Sequence, residues 1–173
     1  MNGSDSGQAT GTTGQPQQST EQSTYESQAA ANERDLDERI RLIRELQNTG
    51  TKFTEKDIQF ITKDKTGQIV WLETGNQTSG LNHILARHAE DYGRSMGISQ
   101  DQIAETLHKV FRDGIVCYSR TKHGAHGGFE RLYRSEGKYY LLSGIGSNGY
   151  IVTAYPINAK TARKLIERYG AHD

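Results

Sequence analysis

Phe129-Glu130-Arg131-Leu132-Tyr133-Arg134-Ser135, then Glu136-Gly137, then Lys138-Tyr139-Tyr140-Leu141-Leu142-Ser143-Gly144-Ile145 is the stretch on which the fold turns. Both runs are rich in aromatic and branched residues, which suit a pleated, half-buried surface. The glycine-bearing turn Ser135-Glu136-Gly137-Lys138 between them makes the pair read as antiparallel strands. In the first run Arg131 keeps step with Phe129 and Tyr133, whereas Arg134 shares the opposite face with Glu130 and Leu132.

The same short period extends outward to Ile115–Arg120 on one side and Tyr150–Pro156 on the other. Four consecutive strands with short links predict an antiparallel sheet. Past it, Ala162, Leu165, Ile166 and Tyr169 are spaced for one face of a final helix over Asn158–Tyr169. Upstream, Gly80-Leu81-Asn82-His83-Ile84-Leu85-Ala86-Arg87-His88 opens a helix. Leu81, Ile84, Leu85, His88 and Tyr92 lie on its apolar stripe, Ser79 is a candidate cap, and the end is expected near Tyr92-Gly93. Ser99 to Gln102 forms a capping-box pattern ahead of Ile103, Leu107, Val110 and Phe111, and Gly114 closes that second helix. Ile58–Thr62 and Gln68–Glu73 flank Asp64-Lys65-Thr66-Gly67 as a strand pair around a turn. The expected class is α+β: N-terminal helices packed on a four-stranded antiparallel sheet, with a C-terminal helix.

Composition divides the 173 residues into three parts. Residues 1–32 hold no Lys or Arg, one aromatic (Tyr25) and much Gly, Ser, Thr and Gln, and are expected to be disordered because they bury too little apolar surface to offset chain entropy. Residues 33–50 form a charged helical connector with Leu36, Ile40, Ile43 and Leu46 on one stripe, and residues 51–173 form the globular domain. Three of the 21 acids lie in the leader, so 21 basic residues face 18 acids from Glu33 onward, a charge near +3 that permits nucleic-acid binding without demanding it. The single cysteine, Cys117, reads as a core thiol and excludes a disulfide framework or a thiolate metal cluster. No secretory signal and no stretch of membrane-spanning length is present in the sequence, so no membrane partner is expected.

His83 and Arg87, one helical turn apart, carry the chemistry. An imidazole exchanges protons near neutral pH and a guanidinium binds phosphate, and cleaving RNA needs both. Gly80-Leu81-x-His83-Ile84-x-x-Arg87-His88, followed by a second helix, strands and the late Gly149-Tyr150-Ile151-Val152-Thr153-Ala154-Tyr155-Pro156, resembles the phage and polymorphic-toxin branch of the barnase/EndoU/colicin/RelE-like ribonucleases, over roughly Ile69 to Ile157. The resemblance implies a metal-independent endoribonuclease toxin, active in a bacterial cytoplasm after delivery by a phage or a secretion system, with RNA (tRNA among the candidates) as substrate, no cofactor, and a cognate immunity protein as partner. It also implies that a last-strand hydroxyl, Thr153 or Tyr155, meets the helix histidine.

On that reading His83, Arg87, His88, Thr153 and Tyr155 are the catalytic candidates, with His83 as base, Arg87 on the phosphate and His88 as acid or orienting group. Arg120, Arg131 and Ser147 are candidate substrate contacts, Arg131 because Phe129 and Tyr133 beside it suggest a base-stacking platform. His123 and His126 lack the further ligands a metal site needs, and His108 and His172 read as surface residues. There is no Walker A loop and no dinucleotide fingerprint, and Gly144 to Gly149 suits a turn better than a phosphate cradle. Two competing readings are an ADP-ribosyltransferase effector, which NAD dependence would reveal, and a non-catalytic phage or inhibitor binding module.

Overall fold

The computed structural model describes residues 17–123, 127–144 and 148–170, with side chains from Glu21 onward. Ser147, His126 and His172 lie outside the described residues. The chain divides into two compact units, Met1–Asp37 and Glu38–Asp173.

In the first unit, helix α1 (Gln17–Asn48) begins well before the expected Glu33. The leader's four glycines and its proline all lie within residues 1–16, and from Gln17 onward Gln, Glu and the run Ala29-Ala30-Ala31 are helix formers with no breaker before Gly50. The average over 32 residues concealed that boundary. Tyr25 and Leu36 are both exposed on this segment.

In the second unit the rest of α1 packs through Leu42, Ile43 and Leu46, against Ile58, Ile61 and Trp71. Ile40, expected on that stripe, is exposed, and Arg39 instead donates from Nη2 to the Ile58 carbonyl at 2.9 Å. Strands β1 (Ile58–Lys63) and β2 (Ile69–Glu73) form an antiparallel hairpin. Its other face enters the main core through Phe60, Val70 and Leu72, with Ile84 and Tyr92 of α2 (Leu81–Met96) and Leu107 and Phe111 of α3 (Ile103–Asp113). Helix α2 runs past Gly93 to Met96, because Gly93 stays helical and Gly97 takes the left-handed conformation that ends the helix. His108 is not a plain surface residue: its ring stacks on Phe60 at 5.0 Å.

Strands β3 (Ile115–Thr121), β4 (Phe129–Ser135), β5 (Lys138–Gly144) and β6 (Ile151–Ile157) form the expected antiparallel sheet in the order β3-β4-β5-β6. Glu136 and Gly137 both take positive φ in the β4–β5 turn, as a two-residue hairpin of matching twist requires. One face of the sheet (Phe129, Tyr133, Tyr140, Leu142, Ala154) belongs to the main core. The other carries Tyr118, Leu132 and Leu141 beneath Ala162, Leu165 and Ile166 of α4 (Ala159–Tyr169), whose first turn is capped by Asn158. Cys117 is only half-buried at the edge of this second layer. Among the described residues no helix is long and apolar enough to cross a membrane.

Candidate functional site

Strand register builds the site. On the α4 side of the sheet Arg120 pairs with Glu130, Glu130 with Ser143, and Ser143 with Thr153, so one residue from each of the four strands forms a continuous polar row. The next row, Tyr118, Leu132, Leu141 and Tyr155, is largely apolar. α4 covers the apolar side, and the polar row lies beyond it.

Glu130 is the row's electrostatic centre. Its Oε1 accepts from the Tyr118 hydroxyl at 2.8 Å and from Arg120 Nε at 3.1 Å, and Lys122 Nζ lies 3.4 Å from Oε2. Lys122 also donates to Ser143 Oγ at 3.3 Å, which leaves the serine proton for another acceptor. Burial pushes the Glu130 carboxyl up, but the Tyr118 hydrogen bond and the Arg120 and Lys122 cations outweigh it and hold it below the usual carboxylate range. Thr153 Oγ1 is buried and has no hydrogen-bond partner among the described residues. A hydroxyl without a partner at the end of a polar row is a group that a ligand can satisfy.

Helix α2 brings its histidines to the β6 edge, beside Tyr155 of the adjacent row, because it is pinned to β6 at two points. The Gly80 N–H donates to the Val152 carbonyl at 3.0 Å, and the Tyr92 hydroxyl donates to the Ala154 carbonyl at 2.9 Å. Gly80 needs to be glycine: its φ is +81°, and a Cβ there would lie 2.8 Å from the Glu73 carbonyl oxygen. It is also the helix's N-cap, so Ser79 does not cap α2, and the Ser79 hydroxyl instead meets the Tyr150 hydroxyl at 3.0 Å.

The outcome is a His88 ring stacked on Tyr155, with centroids 4.4 Å apart and 18° between planes, and a His83 ring 6.3 Å from that of His88. His83 Nδ1 lies 2.8 Å from the Gln77 carbonyl oxygen. A carbonyl only accepts, so Nδ1 carries the proton and Nε2 of the neutral ring has a lone pair. His88 Nδ1 is 3.0 Å from Asp91 Oδ2, an ion-pair geometry that orients the second imidazole in the same way. Burial, with a smaller contribution from Glu130, raises the Tyr155 hydroxyl above its ordinary range, so it is a neutral donor at neutral pH.

The structure therefore brings His83, His88, Tyr155, Thr153 and Arg120 to one side of the molecule. Arg87 is exposed and makes no hydrogen bond or ion pair among the described residues. Arg131 faces away from the polar row. It lies on the core face, buried, with Nη1 2.6 Å from Asp64 Oδ2, Nη2 2.7 Å from Gln68 Oε1 and Nε 3.0 Å from Ser119 Oγ. Phe129 and Tyr133 beside it are buried too, so they form no stacking platform. Strand alternation puts Glu130 and Arg131 on opposite faces, but both faces are packed, so it does not say which partners each of them meets.

Lys122 opens a small-residue loop suited to close approach of a ligand, but the sequence alone does not single out Glu130, Ser143 or Tyr118 for this site. The two-residue turn at Glu136-Gly137 was the available signal, because pairing Ser135 with Lys138 and counting back sets Glu130 opposite Ser143. No protein-family model matches this chain, and no curated protein matches its sequence.

Proposed function

We propose that the Glu38–Asp173 unit is an endoribonuclease domain of the toxin type, cleaving RNA by transesterification without a metal ion. The observation that carries this reading is the four-strand polar row, with Arg120 in it and Lys122 against it, ending beside a helix histidine stacked on a last-strand tyrosine.

The reaction needs a base, an acid and compensation for charge that develops on the phosphoryl oxygens. His83 Nε2 takes the proton of the ribose 2′-hydroxyl as its oxygen attacks phosphorus. The bond from phosphorus to the 5′-oxygen breaks, and that oxygen takes a proton from His88. A 2′,3′-cyclic phosphate and a 5′-hydroxyl end result. Arg120 and Lys122 offset the phosphoryl charge, the Ser143 and Thr153 hydroxyls donate to its oxygens, and Tyr155 holds the His88 ring in place.

Within the same reading, the domain acts in a bacterial cytoplasm after delivery, and an immunity protein would block it by setting acids against Arg120 and Lys122. The test is to incubate the full chain with total RNA, with and without chelator, and to map new ends. Cleavage in EDTA leaving cyclic phosphates is expected, and a folded chain that leaves every RNA intact would overturn the proposal.

A further inference from the structure

Arg120 is held from more than one side. Its Nε donates to Glu130 Oε1 at 3.1 Å, and its guanidinium carbon lies 4.1 Å from the centroid of the Tyr169 ring. Tyr169 packs on Tyr118 with centroids 5.5 Å apart, and the Tyr118 hydroxyl donates to that same Oε1. These contacts close a loop from arginine to carboxylate to tyrosine to tyrosine and back. All of them use Nε or the face of the guanidinium. Among the described residues Nη1 and Nη2 make no hydrogen bond.

Tyr169 is the last residue of α4, and Ala162, Leu165 and Ile166 fix that helix to the sheet. The ring is thus mounted on a packed element, and through it the plane of the guanidinium is set before any ligand arrives. That matters for a guanidinium, whose advantage over an ammonium is a planar fork matched to two oxygens of one phosphate. A fork already oriented loses little rotamer freedom on binding.

We infer that Tyr169 is a positioning residue: the final turn of α4 pins the Arg120 guanidinium so that its two free nitrogens present a fork to an RNA phosphodiester. The identity of the ligand rests on the proposed function, whereas the pinning is a property of the fold.

The experiment titrates a non-cleavable 2′-O-methyl RNA oligonucleotide into the full chain while the Arg120 Nε–Hε resonance is followed. Tyr169→Leu should weaken binding about threefold to tenfold, the range of a partly buried cation–ring contact. Tyr169→Phe, which keeps the ring, should bind like the wild type. In an Arg120→Ala background, Tyr169→Leu should cause no further loss. An equal loss in that background would mean that Tyr169 acts on RNA by a route other than Arg120, directly or through Arg168, whose guanidinium carbon lies 5.3 Å from the same ring centroid, and a Phe variant as weak as the Leu variant would mean that the ring face is irrelevant; either overturns the inference. Should Tyr169→Leu fail to fold, the Phe variant and a Tyr169→Trp variant, expected to hold or tighten binding, decide alone. If the wild type neither binds nor cleaves RNA, the functional reading falls, and inorganic phosphate becomes the probe. A shift of the Arg120 resonance that disappears in Tyr169→Leu then supports the pinning, and equal shifts in both proteins refute it.

Discussion

Arg120 and Arg131 sit on adjacent strands of one sheet and face opposite ways. Arg131 has all three of its nitrogens engaged by Ser119, Asp64 and Gln68, and Tyr133 adds a 2.7 Å hydrogen bond to the same Asp64 oxygen. This buried cluster ties the β1–β2 hairpin to β4, so it holds the fold. Arg120 is anchored through Nε and its flat face, with the terminal nitrogens unused among the described residues. An arginine's role is thus read from which of its nitrogens the protein occupies, more than from its place in a motif.

The sharpest way to break that contrast is to remove each anchor. Asp64→Ala leaves a buried guanidinium without its counter-charge and should destabilise the protein by about 3–5 kcal/mol, read from the urea midpoint. Arg120→Ala should change stability by no more than about 1 kcal/mol, because the Arg120 side chain is about a third exposed and Tyr118 and Lys122 remain on the buried Glu130 carboxylate, while RNA cleavage falls. Equal stability losses would mean that the two faces do not differ in kind.

His83→Ala comes next in size. Loss of a positioned proton-transfer group should lower cleavage in EDTA by about 10²–10⁴-fold with the unfolding midpoint nearly unchanged, since among the described residues the side chain's one hydrogen bond is to the Gln77 carbonyl. Undiminished cleavage by this variant would move the base elsewhere in the site.

The sheet order, the β4–β5 turn and the helix with its histidines were legible because each is set by local chemistry: a glycine turn, a short period, a helical stripe. The Glu130–Ser143 neighbours could have been counted from that same turn. What was not legible depended on coverage by distant elements. Both faces of the sheet are packed, one under α2 and α3 and the other under α4, so alternation along β4 separates Glu130 from Arg131 without revealing which partners each buried charge meets. Similarly, the stripe on α1 shifted to Leu42, Ile43 and Leu46 because the hairpin, not the helix's own spacing, selects the packed side. His108 looked like surface for want of any local sign that Phe60 would stack on it.

A smaller test uses the same substitution in two places. The hydroxyls of Thr62 and Thr153 are both buried without partners among the described residues, Thr62 in the hairpin and Thr153 at the end of the polar row. Replacing either with valine keeps the shape and removes an unsatisfied group, so each change should leave stability unaltered or raise it by about 1 kcal/mol. Only Thr153→Val should slow RNA cleavage. A matching loss of activity from Thr62→Val would show that the effect is general repacking and not a lost donor in the site.

The smallest expected effect concerns the acid at the centre of the row. Burial raises the Glu130 carboxyl while Tyr118, Arg120 and Lys122 lower it, and the net direction is down. A group depressed in the folded state stabilises it above the unfolded value, about pH 4.3 for glutamate, and loses that contribution as the pH falls through the lower folded value. The wild type should therefore exceed Glu130→Gln in urea midpoint between pH 5 and pH 7, and the gap should close on acidification below about pH 4. Because burial offsets part of the partners' effect, the gap is expected to be modest. Should the difference stay constant down to pH 3, the carboxylate's charge is not what organises Arg120 and Lys122, and their placement would have to come from packing against Tyr118 and Tyr169 alone.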